Sequence, residues 1–147
     1  MFRGRHVHTI DAKGRVSIPA AYRTKLQGST DESPVLTADH RCLKLYPFED
    51  WCTYEESIVA KAAVDPDAQD FVRLVMSRAG EAPIDKQGRI LVPQYLREHA
   101  HIEKDVTFAG VGHTVEIWNT SRFEESLEQT QVNFPALSRG MAEKLRT

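Results

Sequence analysis

Cysteine is scarce in this chain, with only Cys42 and Cys52 among 147 residues. They are too far apart for a Cys-x-x-Cys redox or zinc pattern and too few for a disulfide framework, so a reducing cytoplasm is the expected compartment. Long apolar runs are missing as well, and nothing in the sequence is suited to crossing a bilayer. The opening Met1-Phe2-Arg3-Gly4-Arg5-His6 lacks the apolar stretch of a secretory leader. No glycine-rich phosphate loop and no clustered metal-ligand spacing occurs. Net positive charge is absent too, since the formal charge is −2. With 41% hydrophobic and 27% charged residues, the composition is that of a soluble globular protein. The length fits one ordinary domain or two very small ones.

The charge that is present is unevenly placed. Residues 1–25 carry +5 and residues 77–97 carry +2, whereas 26–76 carry −6 and 98–147 carry −3. Positive charge therefore gathers on two segments, as an anionic partner would require. Those segments contain an internal repeat, displaced by 74 residues. Ile10-Asp11-Ala12-Lys13-Gly14-Arg15 returns as Ile84-Asp85-Lys86-Gln87-Gly88-Arg89, and Pro19 and Arg23 return as Pro93 and Arg97. Across fourteen aligned positions six are identical, and Val16/Ile90 and Ile18/Val92 are conservative swaps.

Asp-x-x-Gly between β-prone runs predicts a type I turn closed by a left-handed residue. Gly14 and Gly88 occupy that last position, where a Cβ is costly. Asp11 and Asp85 shape the turn by accepting loop N–H groups. Arg15 and Arg89 then open the return strand, beside exposed Lys13 or Lys86. Pro19 and Pro93 end that strand and suit the first turn of short helices over 20–26 and 94–100. Two uses of the arginines stay open: each braces its own aspartate, or each presents a guanidinium at a stiff tip.

The rest of the chain follows the same order twice. His6-Val7-His8-Thr9-Ile10 alternates as a half-buried strand; His6 and His8 share a face but have no third ligand, and no metal is assigned. The sequence 35–38 and 42–46 predicts a second hairpin, mirrored by 106–110 and 113–118. Leu43-x-Leu45-Tyr46 with Trp51 corresponds to Val115-x-Ile117-Trp118 with Phe123. A helix is predicted from Pro47 to about Ala63, with Phe48, Trp51, Ile58 and Val59 on its apolar stripe. Asp65-Pro66 caps another, with Phe71, Leu74 and Val75 inward and Gly80 at its end. A final helix over 121–131 precedes a short, loosely held tail. Each half is too small to bury a core alone. The expected fold is α+β: one pseudo-two-fold domain of interleaved β-rich halves, with helices outside.

Three function classes fit these residues. A binder would use the duplicated basic tips; a protein-interaction module, antitoxin-like or scaffold, would leave them unexplained. A metal-dependent phosphodiesterase could recruit Asp11, Asp85 and histidines, but both aspartates already have work in the turns.

The motifs Met1-Phe2-Arg3-Gly4, Asp11-x-Lys13-Gly14-Arg15-x-x-x-Pro19-x-x-Tyr22-Arg23, Asp85-x-x-Gly88-Arg89-x-x-x-Pro93, Leu45-Tyr46-Pro47 with Trp51, and Phe71-x-Arg73-Leu74 resemble the MraZ family of bacterial transcriptional regulators. The resemblance runs from residue 1 to about 125. It implies two tandem swapped-hairpin halves of the AbrB/SpoVT kind, packed as one pseudo-two-fold barrel with peripheral helices. Its units are 1–51, a helical connector 52–76, a second domain 77–123, and a C-terminal helix and tail 124–147. It further implies a ring-like homo-oligomer, cytoplasmic and nucleoid-associated. Such an oligomer binds double-stranded DNA at short tandem repeats upstream of the division and cell-wall gene cluster and regulates that cluster, without enzymatic activity, cofactor or membrane. Lys13, Arg15, Lys86 and Arg89, with the Arg3/Arg5 arm, are the expected DNA-binding residues, Arg15 and Arg89 either reading guanine edges or gripping phosphates, and the lysines and the Arg3/Arg5 arm on the backbone. Gln87 stands where the first copy has Lys13, with Lys86 next to it.

Overall fold

The β-prone runs and proline stops of the sequence become fourteen short elements in a computed structural model that describes residues 1–146. The first half contains β1 (Arg5–Thr9), β2 (Arg15–Ser17), α1 (Ala20–Gln27), β3 (Val35–Ala38), β4 (Leu43–Tyr46), α2 (Phe48–Ala62) and α3 (Pro66–Arg78). The second repeats that order with β5 (Gly80–Glu81), β6 (Arg89–Leu91), α4 (Gln94–His99), β7 (Asp105–Gly110), β8 (Val115–Asn119), α5 (Thr120–Val132) and α6 (Phe134–Leu145). Prolines mark the starts: Pro19, Pro47 and Pro93 each precede the first helical residue of α1, α2 and α4, where a fixed φ is already helix-compatible. Asp65 caps α3 by accepting from the Asp67 N–H at 3.0 Å.

Pairing crosses between the halves. One antiparallel sheet of six strands has the order β1-β7-β8-β4-β3-β5, and β2 pairs with β6 in a separate two-stranded ribbon. In the ribbon Val16 stands opposite Ile90, its own counterpart in the repeat. At the middle of the large sheet Lys44 stands opposite Glu116, again counterparts. β1 leaves its turn to pair with β7, while β5 pairs with β3. The two arms around each Asp-x-x-Gly turn thus pair with the other half rather than with each other.

Burial follows the pairing. Val16, Ile18, Ile90, Val92, Phe108 and Ile117 are all essentially inaccessible and belong to one core drawn from both halves. Each such side chain contributes about 1.5–3 kcal/mol, so neither half keeps its core if separated. A satellite cluster of Val35, Tyr46, Trp51 and Val75 forms where α2 and α3 cover the sheet.

Three expectations are corrected. The strands do not close into a barrel: β1 and β5 are free sheet edges, and β2 and β6, three residues each, are too short to bridge them before Pro19 and Pro93 intervene. Of the inward-facing set on α3 only Val75 is buried. Phe71 and Leu74 are about half exposed, because α3 rests on α2 and β3 through Val75, Met76 and Ala79. The tail is not loose chain but α6, with Pro135 in its first turn and no buried residue. No helix of the described residues is long and apolar enough to cross a membrane.

Candidate nucleic-acid interface

The two turns are built alike, from backbone outwards. Gly14 N–H donates to Asp11 O at 3.0 Å, and Gly88 N–H to Asp85 O at 2.9 Å. Asp11 N–H then donates to Arg15 O, and Asp85 N–H to Arg89 O, each at 2.9 Å. The glycines have φ of 90° and 78°, in the left-handed region that a side chain disfavours. In the first turn Asp11 Oδ1 accepts from Lys13 N–H at 3.0 Å and Arg15 N–H at 2.8 Å. In the second, Asp85 Oδ1 accepts from Gln87 N–H at 2.8 Å and Arg89 N–H at 2.9 Å. The backbone N–H of the following arginine is the main reason both carboxyls are held below the ordinary aspartate pKa, opposed by partial desolvation.

The second carboxylate oxygen takes the arginine side chain. Arg15 Nε donates to Asp11 Oδ2 at 2.8 Å, and Arg89 Nε to Asp85 Oδ2 at 3.2 Å. Only Nε is used. Among the described residues neither guanidinium has a hydrogen-bond partner at its Nη edge, and both side chains are about a third exposed. Bracing the turn and presenting a donor fork are therefore compatible, since they occupy different edges of one planar group.

The ribbon puts both forks on one surface. Val16 and Ile90 point into the core, so Arg15 and Ser17 on β2 and Arg89 and Leu91 on β6 share the outer face. Arg15 faces Leu91 and Ser17 faces Arg89, which makes the arginines diagonal neighbours. Lys13 and Lys86 are exposed on the adjoining turns. Arg3 and Arg5 are not part of this cluster. Arg5 begins β1, about 20 Å of extended chain from Asp11, and its Nη1 pairs with Glu124 Oε1 at 3.0 Å.

Sequence reasoning missed two residues here. Arg23 donates Nε to Ile18 O at 2.9 Å, and Arg97 donates Nε to Val92 O at 3.0 Å. Each lies on the turn of the opposite half. A Cβ built on Gly88 would sit 2.6 Å from Arg23 Cζ, and one on Gly14 would sit 2.9 Å from Arg97 Nε. Their identity in the repeat was the available signal; that each crosses to the other copy was not readable.

The histidines serve the fold. His8 Nδ1 lies 2.6 Å from Ser17 O, and the His6 ring meets Tyr22 edge-on at 5.1 Å. Asp39, Cys42 and Glu116 do converge within 4.8 Å. Burial, with the two carboxylates, pushes the Cys42 thiol up, away from the thiolate a metal needs. Asp39 pairs with Lys44 and Glu116 accepts from Trp118, so we assign no metal there.

A duplicated α+β scaffold carrying two arginine turns on one ribbon defines the class of protein. Comparison with known sequences gives the family. The pattern described as "MraZ protein, putative antitoxin-like" matches twice, over residues 1–74 and 75–144. A "Transcriptional regulator MraZ" from Thermoanaerobacter sp. is 45% identical over 139 residues, 94% of each chain. One from Caldanaerobacter subterraneus is 44% identical over 139 residues with the same coverage. One from Heliobacterium modesticaldum is 43% identical over 146 residues, 99% of this chain and 96% of its own. The chain belongs to the MraZ family.

Proposed function

We propose that this protein is a sequence-specific DNA-binding transcriptional regulator. It acts as a homo-oligomer on short tandem repeats upstream of the division and cell-wall gene cluster. The observation that carries the reading is the pair of Asp-braced arginines whose open Nη edges share the outer face of the β2–β6 ribbon. A two-stranded ribbon fits a DNA major groove, and a guanidinium held by its Nε can offer both Nη groups to guanine O6 and N7. Lys13 and Lys86 hold phosphates beside them. The relatives carry the name of transcriptional regulators.

The cross-half registers support a swapped-hairpin arrangement of units 1–51 and 77–123, with 52–76 as connector and 124–147 as an appended helical segment. Self-association is supported by α6, whose Phe134, Leu137, Met141 and Leu145 form an exposed apolar stripe. One ribbon offers few base contacts, so an oligomer that engages several repeats gains avidity without any new contact type. An enzymatic role has little support. Both carboxylates a phosphodiesterase would recruit are occupied on both oxygens by the turn.

Gel shifts and footprinting on the chain's own upstream region test the reading. Log K should fall with log salt at a slope of about −1.8 for the two lysine–phosphate contacts of one ribbon, and more steeply as further ribbons or the arginines also neutralise phosphates. Affinity indifferent to salt would sink it. A second reading, an antitoxin-like interaction module, takes support from the family description; a stoichiometric protein partner with no DNA affinity would establish it.

A further inference from the structure

We propose that Arg23 and Arg97 are phosphate-binding residues, each serving the turn of the opposite half. The tips would then be composite, one formed by Lys13, Arg15 and Arg97, the other by Lys86, Arg89 and Arg23. This rests on the DNA-binding reading above and gives a role to two arginines that the repeat carries without one.

The geometry is reciprocal. Arg23 stands on α1, anchored by Nε to Ile18 O at the end of β2, and its guanidinium covers Gly88. Arg97 stands on α4, anchored by Nε to Val92 O just beyond β6, and its guanidinium covers Gly14. Strand pairing explains the crossing, since Ile18 N–H donates to Gly88 O at 2.8 Å and Val92 N–H to Gly14 O at 2.7 Å. The carbonyl each arginine caps therefore belongs to the residue bonded to the opposite turn.

Charge completes the argument. Arg15 and Arg89 have aspartates, Arg5 has Glu124 and Arg73 has Asp70. Among the described residues no carboxylate lies within ion-pair distance of Arg23 or Arg97, and both are half-buried. A half-buried cation without a counter-ion is costly unless a partner supplies one. Each retains an Nη fork beside a turn whose glycine lets another group come close. A phosphodiester oxygen pair matches such a fork in shape and sign.

The test compares wild type with Arg23→Gln and Arg97→Gln on a duplex of the upstream repeats and on a scrambled duplex, over a salt series. Glutamine can still donate to the capped carbonyl, but it removes the charge. Thermal melting should be unchanged and affinity should fall by a similar factor on both duplexes. The salt slope should shrink by about 0.9 for each phosphate the variant no longer grips. Arg23→Lys, which keeps the charge, should keep most of the slope. Inorganic phosphate at millimolar concentration should not compete beyond its ionic strength, which separates a backbone phosphodiester from free phosphate. An unchanged slope in the glutamine variants overturns the proposal. So does loss of discrimination between duplexes at constant slope, which would mean that the arginines only position Arg15 and Arg89. A glutamine variant that melts early is judged by the lysine variant, and a lysine slope as shallow as that of glutamine also overturns it. No wild-type binding to any duplex would overturn both this and the DNA reading; wild-type binding with unaltered variants overturns this one alone.

Discussion

The two tips share one backbone and differ in what surrounds it. Both close with the same turn bonds, and both aspartates take two N–H groups and one Nε. The first has Ala12-Lys13 between Asp and Gly, the second Lys86-Gln87, so the lysine moves by one place along the turn. The brace is tighter in the first, 2.8 Å against 3.2 Å. The neighbours of the glycines differ more. A Cβ on Gly14 would meet the Val92 carbonyl oxygen at 2.6 Å, a backbone atom, whereas the three atoms nearest to one on Gly88 all belong to the Arg23 side chain. The scaffold is duplicated, then, while tolerance to change and position of charge are not.

The largest expected effect breaks the pair at its arginines. Arg15→Ala should leave melting temperature and oligomer mass nearly unchanged. It should cut affinity for the upstream repeats by more than the tenfold or hundredfold of a single base contact of about 1–3 kcal/mol, because every subunit loses it. Arg89→Ala on the same duplex sharpens the comparison: an equal loss makes the tips equivalent, and a much smaller one makes the first tip the reader. Unfolding of Arg15→Ala would show instead that the guanidinium is needed chiefly as the turn brace.

Next come the glycines, read by urea denaturation. Gly88→Ala should cost about 1–2 kcal/mol for a left-handed alanine, with Arg23 swinging aside. Gly14→Ala should cost more, since the Val92 carbonyl is a backbone atom whose residue is tied to this turn by the Val92 N–H bond to Gly14 O, and it has less freedom to move than a side chain. Equal losses would mean that the two turns relax alike.

A smaller effect is expected from the lysines. Exchanging Gln87 for Lys should steepen the salt slope by up to about 0.9 if the added ammonium reaches a phosphate, and Lys86→Ala should flatten it by a similar amount. Fold and melting should not respond to either.

The smallest concerns acid. Both aspartate pKa values lie lower in the fold than the ordinary 3.8, so the unfolded chain binds more protons as pH drops. The stabilisation these groups supply is complete above about pH 3.8 and is lost as pH falls through their lowered values. Asp11→Asn and Asp85→Asn should each flatten the acid limb of a stability–pH curve by lowering its neutral plateau towards the value reached in acid. A limb unchanged in both variants would remove the turn carboxylates from the acid response.

Much of the architecture was legible because it is local. Short β-prone runs located 35–38 and 42–46 and their counterparts as strands, and proline placed the starts of α1, α2 and α4. The apolar stripe of α3 was misjudged, as periodicity names the apolar residues of a helix but not which of them find a surface. The tail was misjudged for a related reason. Its residues are compatible with a helix, yet nothing in a stripe of Phe134, Leu137 and Met141 says whether a sheet lies beneath it.

What the sequence determined by itself is whatever depends on a few consecutive residues. It determined a repeat at a spacing of 74, two Asp-x-x-Gly stretches suited to turns, and basic charge gathered around both. The tertiary structure decided which strand each arm would meet. β1 pairs with β7 and β2 with β6, an outcome set by long-range pairing and by a core that neither half can bury alone. The same pairing sets Arg15 and Arg89 on one ribbon face and carries Arg23 and Arg97 to the opposite turns. No local pattern contains that information, because antiparallel pairing brings together residues some 74 positions apart and only the shared core selects the register.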